Sequence, residues 1–244
     1  MRAAIVTGVS RGLGLALAAE LLRRGFAVLG VGRSTHSELA RSGYSFARLD
    51  LADAPRIDEA LSPAFSTLSK SRPESVCLIN NAAVAGPVGT LGKLSSADVA
   101  SSLAVNLAAV VALTNLFCRI FADPATPRRV VNVSSGAAQT TLAGESVYCV
   151  AKAGMEMLTR TLAAEQTAET FRAVTVRPGV IDTDMQTFAR SHSPDVLPSV
   201  ELFLGFHRDG RLVAPAVVAG KIVEKLVIAD VENGRTYSYQ ELQG

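Results

Sequence analysis

Cysteine is scarce in this chain: Cys77, Cys118 and Cys149 are odd in number and form no C-x-x-C pair. That argues against a disulfide framework and against a zinc site, so the three read as reduced side chains, mostly buried, and no metal is expected. An excess of one charge is also lacking. With 24 Lys and Arg against 22 Asp and Glu the net charge is +2, which leaves no basic footprint for a nucleic acid. A long apolar run is missing from the N-terminus, where MRAAIVTGVSRGLG offers one Arg and a short apolar stretch before Gly8. It has no secretory core, and a cytoplasmic protein is expected. The stretch 103–121 is interrupted by Asn106, Thr114, Asn115 and Arg119, and so predicts no membrane span of about 20 apolar residues. No linker, repeat or low-complexity tract divides the 244 residues, 48% of them apolar. A single folded domain over 1–244 follows.

What is present is alternation between short β-branched runs and longer helical stretches, the pattern of a parallel sheet covered on both faces. It predicts strands over 3–7, 27–32, 44–50, 75–80, 129–134 and 173–177, with a short seventh near Thr236. Helices are predicted over 12–24, 55–68, 96–121, 148–168 and 215–228. The expected fold is therefore α/β, a doubly wound (Rossmann) domain of about seven strands. The segment 183–214 breaks the rhythm: it carries Pro194 and Pro198, scatters Met185, Phe188, Phe203 and Phe206 among polar residues, and reads as an irregular lid over a substrate.

The first strand runs into Gly8-Val9-Ser10-Arg11-Gly12-Leu13-Gly14. Glycines there allow a tight turn and close approach of a ligand, and the helix that follows offers free N–H groups to a phosphate. The same residues fit G-x-S-x-G, which would make Ser10 the nucleophile of a serine hydrolase with His192 or His207. Only nine residues precede Ser10, however, too few for the strands such an elbow follows. After the second strand stand Arg33 and Ser34 and no acid. An Arg there suits the 2′-phosphate of NADP(H), with Arg11 as a second clamp.

Tyr148 and Lys152 are four residues apart on one helix face. A nearby ammonium stabilises tyrosinate, and the pair makes a general acid or base. Ser135, beyond the fifth strand, has a hydroxyl suited to a carbonyl oxygen on which charge develops. Asn106 sits unfavourably within a long helical run, which signals a helix irregularity or a polar role. Asn80-Asn81-Ala82-Ala83 closes the fourth strand with residues small enough for a cofactor to approach.

Taken together, Thr7-Gly8-x-x-x-Gly12-x-Gly14, Asp50, Asn80-Asn81-Ala82-Ala83, Asn106, Ser135, Tyr148-x-x-x-Lys152 and Pro178-Gly179 resemble the short-chain dehydrogenase/reductase family. Within it, the segments around Tyr148 and Pro178 are similar to sepiapterin reductases and bacterial benzil reductases. The resemblance implies Tyr148 as general acid and Lys152 on the nicotinamide ribose, lowering the phenol's pKa. It also implies Ser135 on the carbonyl and Asn106 holding a relay water. Asp50 and Leu51 would border the adenine, Asn81 the adenosine ribose, and Ile181 and Thr183 the nicotinamide amide. A homodimer or homotetramer through the helices at Ser96 and Tyr148 is implied as well. The expected reaction is NADPH-dependent reduction of a small-molecule carbonyl compound, an aromatic ketone or 1,2-diketone in a pocket of Met185, Phe188, Phe203 and Phe206. A pterin fits less well because the C-terminal Arg235–Gln240 stretch holds no acid, leaving Asp184 or Glu241 as substitutes. A noncatalytic NADP(H)-sensing scaffold is the alternative of another class.

Overall fold

The computed structural model describes residues 1–244. Seven parallel strands run in the order β3-β2-β1-β4-β5-β6-β7. They are β1 (Arg2–Thr7), β2 (Ala27–Gly32), β3 (Tyr44–Arg48), β4 (Ser75–Asn80), β5 (Arg128–Val133), β6 (Phe171–Arg177) and β7 (Thr236–Ser238). Successive residues of a strand face opposite ways, so Ala4 and Val6 of β1 enter one core and Ala3 and Ile5 the other. The first core is closed by α1 (Gly12–Arg23) and the second by α2 (Ile57–Lys70).

The run 96–121 forms α3 (Ser96–Leu103), a π turn (Ala104–Ala108) and α4 (Ala109–Ile120). Together these make a 25-residue helix whose length and composition alone would suit a bilayer. Its apolar residues Leu113, Leu116 and Phe117 belong to the second core. Helix α5 (Ser146–Glu165) lies beside it, and Gly154 of α5 faces Leu107, which an added Cβ would approach to 3.1 Å.

The segment 183–214 departs from the irregular reading. It folds into α6 (Asp184–Arg190) and α7 (Val200–Arg208), which share a small cluster of Ala189, Leu197, Val200 and Phe203. Short helices with two prolines between them carry too little periodicity to declare themselves, and their closure depends on tertiary contacts with Val88 and Leu142. After α8 (Pro215–Ile222) the chain continues as a second π turn, Val223–Ile228. Asp50 and Ser134 fall just outside their strands. The three cysteines are free, Cys77 buried and the other two half-buried.

The strand order reverses between β1 and β4, the place where open α/β sheets leave a crevice at the strands' carboxyl ends. Every residue discussed next lies at that edge.

Candidate active site

At the end of β1, Gly8 adopts φ +74°, and a Cβ there would stand 2.9 Å from the Ala82 Cα. A Cβ on Gly14 would run into the carbonyl oxygen of Gly8. The turn is thus packed against the end of β4 with no room for side chains. Thr7 makes the join: its hydroxyl accepts the N–H groups of Asn81 and Ala82, both at 2.9 Å, and its carbonyl accepts the Asn81 amide at 2.9 Å. No side chain caps α1, so the donors of its first turn stay available to an anion. At the end of β2, Arg33 and Ser34 are exposed, and Arg33 enters no ion pair. A tight glycine turn, an uncapped helix start and an uncommitted guanidinium fit a phosphorylated dinucleotide.

Arg11, the expected second clamp, is paired within the protein. Its guanidinium donates to Asp184 of α6 at 2.7 Å, and both groups are exposed. Ser10 is half-buried and hydrogen-bonds to no histidine, while His192 is spent on the Phe188 carbonyl at 2.8 Å. The hydrolase constellation therefore does not assemble. Asp50 is exposed, its carboxylate accepting the N–H of Ala52, and Leu51 beside it is buried. Ile181 is buried and Thr183 half-buried next to Gly12, whose added Cβ would meet the Thr183 methyl at 3.3 Å. Pro178 and Gly179 lead into that strip, with Gly179 at φ +75°.

Ser135 and Tyr148 line one cleft of about 70 Å³, together with Ala85, Leu142, Glu145, Met185, Gln186, Ala189 and Phe203. The Ser135 oxygen accepts the Ala137 N–H at 3.2 Å, which leaves its own proton free to donate. The Tyr148 hydroxyl donates to the Met185 sulfur at 3.9 Å. Lys152 is 1% exposed, donates to the Val133 carbonyl at 2.8 Å and sits 5.5 Å from the Tyr148 ring centre. Burial brings its amine down to about 8. The phenol shows the reverse of the expected depression. Burial pushes it up and the Glu145 carboxylate adds to that, against a partial offset from the Ser135 hydroxyl.

Asn106 stands in the π turn, so the helix irregularity is real. Its side chain is fully engaged, however: the oxygen accepts the Val84 N–H at 2.9 Å, and the nitrogen donates to the Val84 carbonyl at 2.9 Å and to Ser102 at 3.2 Å. These bonds fix the loop after β4 to the π turn. Of the expected substrate residues, Met185 and Phe203 line the cleft. Phe188 lies outside it, exposed and edge-on to His192, and Phe206 packs on the α6–α7 cluster under Arg211.

Two polar residues of the cleft, Glu145 and Gln186, escaped the sequence reading, as did the apolar Ala85, Leu142 and Ala189. Neither polar residue carried a signal in the sequence, where each stands at the start of a helix. Of the proposed substitutes for a pterin-holding acid, Asp184 is paired with Arg11. Glu241 is held by Ser238 and Arg235, which draw its carboxyl down to about 2. Glu145 is the acid that does face the cleft.

A family model described as short chain dehydrogenase matches residues 2–194. The chain is 34% identical over 239 residues to the benzil reductase ((S)-benzoin forming) of Bacillus subtilis (strain 168), covering 97% of this chain and 98% of that one. It is 34% identical to the sepiapterin reductase of Meriones unguiculatus over 207 residues, covering 78% of each. Among solved structures, the KRED1-Pglu enzyme superposes with a TM-score of 0.84 at 26% identity, covering 97% of this chain and 100% of that one.

Proposed function

Because the chain belongs to the short-chain dehydrogenase family, we propose that it is an NADP(H)-dependent carbonyl reductase acting on a small ketone with an apolar body, such as an aryl 1,2-diketone. The observation that carries this reading is the meeting of Ser135 and Tyr148 in one cleft, with Lys152 buried behind the phenol and the glycine turn at the same sheet edge. The backbone of Gly8, Ser10, Gly12, Leu13 and Gly14 would hold the diphosphate, and Arg33 with Ser34 the 2′-phosphate. Asp50 and Leu51 would border the adenine, while Asn81, Ala82 and Ala83 would meet the adenosine ribose. Pro178, Gly179, Ile181 and Thr183 would flank the nicotinamide. When bound, NADPH supplies a hydride.

The chain's own part is proton handling and charge. A phenol pushed above its ordinary value keeps its proton at neutral pH, the state a donor to a carbonyl oxygen needs. Ser135 directs its free proton to the same oxygen. The Lys152 ammonium favours the tyrosinate left after transfer, and its titration near 8 keeps it mostly charged at pH 7. Exposed Val111 on α4 and Val150 and Met157 on α5 support a homodimer or homotetramer joined through those helices.

The test is NADPH oxidation screened against vicinal diketones, quinones and pterins. Tyr148→Phe should retain cofactor binding and lose about two to four orders of magnitude in turnover. Turnover within about threefold of wild type would remove Tyr148 from the role. Cofactor binding with no turnover on any carbonyl would favour the noncatalytic scaffold.

A further inference from the structure

The cleft holds two acceptors that the reduction does not use. Glu145, the residue before α5, is 7% exposed and lines the cleft, yet its carboxylate makes no hydrogen bond and no ion pair. Burial alone accounts for the rise of its carboxyl to about 7, so no cation stands close enough to compensate it. Gln186 of α6 lines the same space, and its side-chain oxygen is buried without a partner. Apart from Ser135 and Tyr148, whose hydroxyls are committed to the carbonyl, the remaining walls are aliphatic, thioether or aromatic. Buried acceptors left without donors are costly and rare in folded proteins. An unpaired carboxylate on an otherwise apolar cleft wall, with the Gln186 amide beside it, marks a place where the donor comes from outside.

We propose that Glu145 and Gln186 form a polar subsite that takes a hydrogen-bond donor, a hydroxyl or amino group, carried on the body of the ketone. This rests on the carbonyl-reductase reading and narrows it: the preferred substrate is a ketone with a donor-bearing arm rather than a wholly apolar one. The cavity of about 70 Å³, against roughly 30 Å³ for a water molecule, has room for a small polar group beside the carbonyl. The apolar walls of Leu142 and Phe203 would accept the arm that connects them.

The experiment compares two probes of nearly equal size, the para-amino and para-methyl forms of 1-phenylpropane-1,2-dione, with NADPH. The amino form should be preferred in kcat/KM by about tenfold or more. Glu145→Leu should abolish that preference by slowing the amino form and speeding the methyl form, while Glu145→Gln keeps part of it. Gln186→Leu should weaken the preference on its own, which serves if Glu145→Leu does not fold. An unchanged ratio across the folded variants overturns the subsite. If wild type turns over neither probe, the reductase reading fails separately. Calorimetric titration of both probes with NADP+ present then decides the subsite: tighter binding of the amino form that is lost in Glu145→Leu supports it, and equal affinity refutes it.

Discussion

Arg33 and Glu145 show how a single side chain's surroundings set its use. Arg33 is exposed at the end of β2 and bonds to nothing in the protein, so its five donors are free for a dianion. Arg33→Ala should weaken NADPH by roughly 1.5–3 kcal/mol and leave NADH nearly unchanged, as measured by direct titration of both. Equal losses would mean that the guanidinium supports the fold. Glu145 is the opposite case, an acid drawn into an apolar wall. Its carboxyl titrates near 7 when folded and at the ordinary 4.5 when unfolded, so the folded state holds the extra proton between those values. The stability this contributes is fully present below about pH 4.5 and is lost as pH rises through 7. Relative to Glu145→Gln, which does not titrate, wild type should lose roughly 1–3 kcal/mol of stability between pH 5 and pH 8. Urea melts of both proteins at the two pH values measure the difference. A parallel pH dependence in the two would place Glu145 in water.

The elements divide by how much of their reason for forming is local. Strands β1, β2 and β4 were readable to within a residue because continuous apolar runs end at Gly or Asn, and the glycine turn was readable because its backbone must lie against β4. Helices α6 and α7 were not, since their few apolar residues gain meaning only when Leu197 and Phe203 meet Leu142 and Val88. Glu145 was overlooked for a related reason: in sequence it is a polar residue before a helix, and only the packing of Leu142 and Phe203 makes it a cleft wall. A further feature without sequence signal is the polar ladder through the sheet. Asn80 donates to Asn132 at 2.8 Å, Asn132 donates to Thr159 at 2.8 Å, and Thr159 shares a proton with Thr175 at 2.7 Å. All four are buried, and the ladder ties β4, β5 and β6 to α5, the helix carrying Tyr148 and Lys152. Asn132→Leu should cost about 2–4 kcal/mol by orphaning partners on both sides, visible as a lowered urea midpoint. If the midpoint does not move, the ladder is not a support of α5.

Across the whole molecule, charge is arranged by end. At the edge opposite the cleft, Arg2, Arg128 and Arg129 donate to the carbonyls of Arg24, Phe121 and Leu226, where α1, α4 and the last π turn finish. Cations there meet the negative ends of the helices. The cleft edge has instead free helix N–H groups and few committed cations, which suits it to an anionic cofactor. An exposed ion pair, Arg11 with Asp184, joins the glycine turn to the first residue of α6. An exposed pair of this kind is worth at most about 1 kcal/mol, so a phosphate arriving beside the turn competes for Arg11 on favourable terms. Since α6 brings Met185 and Gln186 to the cleft, whatever takes Arg11 removes one weak tie between the glycine turn and that wall. Asp184→Asn, which frees Arg11, should tighten NADPH by no more than about fivefold in direct titration, since the pair it removes is worth at most about 1 kcal/mol; a larger change would mean that Asp184 acts on the nucleotide in another way.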